Sequence, residues 1–236
     1  MEKEKSGLEK NLNELNQKGS FGEHIVNIIK AILASAPFTG GLSSLITDYI
    51  PNSKQKRLEE FAKQVAEDLL KVKDKIDNKV ILNDNFAFIF ESSFRKASEN
   101  YQKVKLDAFR GIIINSAIKE DMNDEEKEYF LNLANNLTVL HILILKFMAT
   151  PEKYLEEMNI SQSRIYGGFS TFFPVAIPNV SLDVIKIAFS ELFSYGLINT
   201  DKGIFGTMTA GQGLELLRGR LSNLGLRFIE FIKTPD

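Results

Sequence analysis

The 236-residue chain contains no cysteine. That excludes disulfides, thiolate metal sites, iron–sulfur clusters and cysteine nucleophiles together. It is also compatible with a reducing, cytoplasmic setting. Tryptophan is absent, and there are only two histidines, His24 and His141. Neither sign of charge prevails: 29 Lys and Arg against 31 Asp and Glu leave a net charge of −2. No global field therefore draws the chain toward nucleic acid or an anionic membrane. The opening MEKEKSGLEKN is charged and lacks the apolar run of a secretory signal.

The short motifs that carry catalytic chemistry are missing too. No GxxxxGK(S/T), HExxH or GxSxG occurs, and Gly211-Gln212-Gly213 is followed by Leu216 where a dinucleotide loop needs its third glycine. Asp121 to Glu125 has the opening spacing of a calcium loop, but Glu126 stands where glycine is required and Asn132 where the bidentate Glu belongs. The stretch reads instead as a helix start. The pairs Glu59/Glu60, Glu125/Glu126 and Glu156/Glu157 are sequence neighbours, which diverge on a helix and do not form a dyad. His141 lies in the most apolar stretch and reads as a hydrogen-bonded core histidine, while His24 reads as an exposed or capping residue. The expectation is a protein that is not an enzyme, with no cofactor, no metal and no catalytic residue.

What is present is helical periodicity. A polar arm over 1–19 precedes a capping box at Ser20 to Glu23, which opens a helix that stops before Pro37. Pro37-Phe38-Thr39-Gly40-Gly41 breaks it, and Leu42 to Ile50 reads as a second short apolar helix; residues 31–47 carry no charge. Leu58, Phe61, Val65, Leu69, Val72 and Ile76 fall at spacings of three and four, a coiled-coil-like seam. A long helical pattern follows over about 84–119, with a kink expected near Gly111. Residues 124–149 read as one central helix, apolar on every side beyond Leu137, so other elements must pack around it. Thr150-Pro151 opens a short helix to about Met158. Residues 159–180 hold Gly167, Gly168, Pro174 and Pro178 and read as a loop and domain boundary. Ser181 caps a helix whose expected face is Val184, Ile185, Ala188, Leu192 and Phe193, ended by Gly196. A short strand at Leu197–Asn199, a glycine-rich hairpin over 200–221 and a helix from Ser222 complete the chain. The predicted architecture is mainly α: a multi-helix bundle over 20–158 and a small α+β module over 181–236.

The order helix, Gly196-Leu197-Ile198, glycine-rich hairpin, then LSNLGLRFIEFI resembles the C-terminal half of a winged-helix domain over about a quarter of the chain. The resemblance implies that helix 181–196 is a recognition helix and 200–221 the wing, with Arg218, Arg220 and Arg227 as nucleic-acid contacts. The charged residues of that helix are Asp183, Lys186 and Glu191, a poor set for phosphates and bases. Two further pieces, Pro37 to Phe61 (PFTGG … DYIP … KRLEEF) and Asn136 to Phe147 (NLTVLHILILKF), resemble uncharacterised helical proteins of bacteria, phages and mobile elements, some suspected in antiphage defence. That resemblance implies an accessory bacterial protein and carries over no catalytic residue.

Three functions compete on these grounds. The first is a non-enzymatic protein-interaction module of an accessory, defence or toxin-type system. Its seam over 53–77 and its aromatic loop residues Phe169, Phe172 and Phe173 would meet a protein partner or a second copy, unless those rings plug the seam between domains. The second is a winged-helix regulator binding nucleic acid through the three arginines. The third is a membrane-active effector, in which Phe38, Gly40, Gly41 and Leu42 lead residues 25–50 into peripheral contact with a bilayer. Small residues there favour close helix packing in lipid and in a soluble core alike.

Overall fold

The computed structural model describes residues 50–76, 78–81, 83–119, 121–207 and 213–234. The expected polar arm, the hairpin over 25–50 up to its last residue, and His24 lie outside them. The described chain is mainly helical, and it divides into two compact units. The first runs to Asn136 and takes in the chain again from Phe231; the second is Leu137–Glu230. The division therefore falls at residue 136/137, not in 159–180.

The first unit is built from helices α1 (Ile50–Lys71), α2 (Asn78–Ile81), α3 (Asp84–Glu99), α4 (Lys103–Ile118) and α5 (Asp124–Asn136). The seam of α1 packs within this unit, against α3 and α4. Leu58, Phe61, Val65 and Leu69 are all 2% exposed or less. This corrects its reading as an oligomer surface: neighbouring helices of the same chain already cover it. Phe61 meets Phe94 edge-on at 5.0 Å, and Phe94 stacks on Phe90 at 4.8 Å. Each such ring contributes roughly 1.5–3 kcal/mol on burial. Beside the seam, Arg110 of α4 lies 2.7 Å from Asp68 and donates to Gln64 at 2.6 Å.

The long helix expected over 84–119 is broken at Asn100–Gln102, and Gly111 sits inside an unbroken α4. Asn100 turns extended at φ −107° and ψ 144°, and its side-chain amide donates to the Lys96 carbonyl at 2.8 Å. Asn123 then opens α5 by accepting from the Glu126 N–H at 2.8 Å, the geometry of a helix start.

The expected central helix over 124–149 is two helices, α5 and α6 (Val139–Ala149), separated at Leu137–Thr138. Both broken ends find partners. The Lys105 ammonium donates to the carbonyls of Ala134, by a very short contact, and Asn135 at the end of α5. Thr138 forms a capping box with His141 in the place usually held by Glu or Gln. Satisfied termini remove the penalty a break would otherwise carry.

The second unit contains α6, α7 (Pro151–Glu157), α8 (Phe169–Ala176), α9 (Leu182–Ser194), 3-10 turns over Gln162–Arg164, Lys202–Gly206 and Gly213–Leu217, and most of α10 (Asn223–Ile232). Residues 159–180 are thus not one continuous loop, because α8 occupies their middle and irregular segments flank it. Phe169, Phe172 and Phe173, at i, i+3 and i+4, give α8 one apolar face, and their burial outweighs the N–H that Pro174 removes. Their rings pack with Phe147, Phe189 and Phe205 at centroid distances of 5.4–6.1 Å. They are buried core side chains of their own unit and do not line an exposed groove.

The expected α+β module lacks its strands. Among the described residues the only β pairing is a single antiparallel bridge, Ile198 to Leu221, and the supposed wing is largely 3-10 turn. The residues behind the winged-helix likeness nevertheless make a tight junction. The Leu197 N–H donates to Leu192 past Gly196, whose φ of +70° ends α9. The Ser222 N–H donates to the Leu197 carbonyl, and a Cβ on Gly225 would lie 2.1 Å from that same oxygen. Only glycine fits there.

Candidate functional site

Helix α9 has the most informative surface. Ser181 accepts from the Val184 N–H at 3.5 Å, and Asp183 complements the positive helix start. From there Ile185, Ala188, Phe189 and Leu192 point inward, all 4% exposed or less. Val184 and Phe193, expected on that inner face, are instead exposed, and Phe189 belongs to it. On the outside Val184, Ile187, Glu191 and Tyr195 follow one another at spacings of three and four, which aligns them along one stripe. Val184, Ile187 and Tyr195 are 47%, 57% and 40% exposed. Three large apolar side chains thus share one solvent-facing stripe, with Glu191 between Ile187 and Tyr195; single exposed apolar residues are ordinary and aligned ones are not.

Glu191, inside that stripe, is fixed from below. Its Oε2 lies 2.7 Å from Nε2 of buried His141. The backbone N–H of Thr138 donates to His141 Nδ1 at 3.1 Å, so Nδ1 is the unprotonated nitrogen. The proton then sits on Nε2, which donates to the carboxylate. His141 is therefore the hydrogen-bonded core histidine its surroundings suggested, and its partner stands 50 positions later, where no local pattern points to it.

The three arginines part company. Arg220 donates from Nε to the Leu216 carbonyl at 2.7 Å, and its guanidinium lies 5.8 Å from the Phe169 ring centre. It is engaged within its own unit. Arg218 is exposed and pairs loosely with Glu215 at 3.8 Å, and Arg227 is exposed on α10. Arg218 also borders an open groove of about 450 Å³ whose lining includes Met148, Leu217, Leu221 and Leu226 together with Glu152 and Glu215. That mixture of signs does not favour a phosphate backbone.

Among the described residues, the one amine with altered chemistry is Lys105, in the first unit. Burial, and then the nearby Lys96 charge, lower it to about 8. At 4% exposure it is out of reach of a substrate, and its work is to cap α5. Among the described residues no group of three His, Asp or Glu side chains could hold a metal ion. No single helix among them is long and apolar enough to cross a membrane. Phe38, Gly40, Gly41 and Leu42 lie outside the described residues. No family model, curated protein or solved structure matches the chain.

Proposed function

We propose that the chain is a non-enzymatic protein-interaction module acting in the cytoplasm, and that it docks its partner on the outer stripe of α9. The aligned exposure of Val184, Ile187 and Tyr195 around a held carboxylate carries this reading. It favours a protein over nucleic acid, because the helix that a winged-helix reader would lay in the groove presents apolar side chains and no arginine. A role in a bacterial accessory or defence system rests on the resemblance of Pro37–Phe61 and Asn136–Phe147, and it is part of the same proposal.

The test is a photo-crosslinking residue placed at Ile187 in cells that naturally carry the gene, with a second at exposed Lys202, outside α9, as reference. A discrete protein adduct from position 187 and none from 202 is the expected result. Equal labelling at both, or no adduct at 187, would reject α9 as the docking face.

A further inference from the structure

We infer that the partner offers a basic amphipathic helix, with an apolar ridge for Val184, Ile187 and Tyr195 and a lysine or arginine for Glu191. The inference rests on the docking reading of α9 and adds to it the chemistry of the occupant. The stripe itself contains one carboxylate and no cation. Asp183, beside it, pairs at 3.9 Å with Lys186, the one cation of the helix, so the carboxylate of Glu191 sets the charge of the stripe.

Glu191 also differs from an ordinary surface glutamate. Free glutamates lose rotamer freedom when they pair, which makes most exposed ion pairs worth little. Here the His141 Nε2–H already holds Oε2, and His141 is itself held by Thr138. Oε1 has no partner among the described residues, and the side chain is 54% exposed. An acceptor oxygen with its rotamer set in advance, between apolar neighbours that would shed water on docking, is suited to a charge-assisted bond with Arg or Lys. Apolar contacts then provide affinity, and the carboxylate sets charge preference and register.

Three labelled helical peptides of roughly 18 residues, long enough to hold a helix, test the inference on the full chain by fluorescence anisotropy. They share one leucine ridge and carry Arg, Gln or Glu beside it. The Arg peptide is expected to bind best. Glu191→Gln should weaken it about 10-fold, or about 1.4 kcal/mol, and Glu191→Arg should transfer the preference to the Glu peptide. Ile187→Asp should abolish binding of all three, with an unchanged thermal melt showing that each variant is folded. Equal binding of the Arg and Gln peptides, with Ile187→Asp still disruptive, would overturn the charge assignment and leave the docking face standing. No binding of any peptide, or no effect of Ile187→Asp, would overturn both. Self-association abolished by Ile187→Asp would replace the basic helix with a second copy of this chain and overturn the inference.

Discussion

The side-chain amide of Asn115 donates to the Phe231 carbonyl, 116 positions later, at 2.8 Å, and to the Lys233 carbonyl at the same distance. One buried side chain in the middle of α4 thereby receives the last turn of the chain. One turn earlier Gly111 lets the Ile232 carbonyl lie against α4: a Cβ there would stand 2.2 Å from that oxygen. The Phe231 ring meets Phe130 at 5.6 Å. The first unit is closed by its own C-terminal residues.

Gly111→Ala is therefore expected to destabilise the first unit, although alanine ordinarily stabilises a helix interior by about 1 kcal/mol over glycine. The clash is with backbone, which has nowhere cheap to move, and overpacking of this kind costs about 1–3 kcal/mol. Asn115→Ala, which leaves the buried Phe231 carbonyl and the part-buried Lys233 carbonyl without this donor, should cost about 1–3 kcal/mol. Urea unfolding followed by circular dichroism checks both. A Gly111→Ala variant more stable than the parent would refute the close approach.

Leu69→Ala should lower stability by about 2–5 kcal/mol, as for other fully buried leucines. Val65→Asp, which places a carboxylate at a site with 0% exposure, should prevent folding of the first unit. Circular dichroism distinguishes this from an oligomer seam, where Val65→Asp would separate subunits and keep the helical signal.

Lys105 gives the first unit an unusual alkaline response. Its amine is lowered from 10.5 to about 8 by burial, so between those values the unfolded chain binds a proton that the folded chain has released. Stability then rises with pH in that window. From pH 8 to 10 the gain is about 2–3 kcal/mol, and Lys105→Met should remove this slope. Above pH 10 Tyr154 acts in the opposite sense in the second unit. Burial raises it to about 12, so the unfolded chain ionises first and stability falls. Identical slopes in the parent and Lys105→Met from pH 8 to 10 would show that the amine is not desolvated.

Arg220→Ala should act as a stability variant. It loses the bond to the Leu216 carbonyl and the contact with Phe169, for about 1–2 kcal/mol. In a duplex-retention assay it should leave the salt dependence unaltered. A decrease of about one in that slope would make Arg220 a phosphate contact.

The amino-acid sequence by itself determined the helical class, several helix ends and the character of His141. Ser181, Asn123 and Pro151 mark starts and Gly196 marks a stop because capping chemistry acts within a few residues, where the chain order contains both partners. The i, i+3, i+4 spacing of Phe169, Phe172 and Phe173 was equally local, but Pro174 and the neighbouring glycines gave a competing signal. In the structure, core packing decided between them. The break at Leu137–Thr138 was hidden for a different reason. A histidine took the glutamate's place in the capping box, and the Lys105 that receives the end of α5 lies some 30 positions upstream. Tertiary structure alone decided that the α1 seam faces inward, that Gly111 accommodates a carbonyl and not a kink, and that Glu191 rests on His141. Each depends on which distant segment arrives opposite a given face, and that choice is made by the packing of whole helices, not by the propensity of any one stretch.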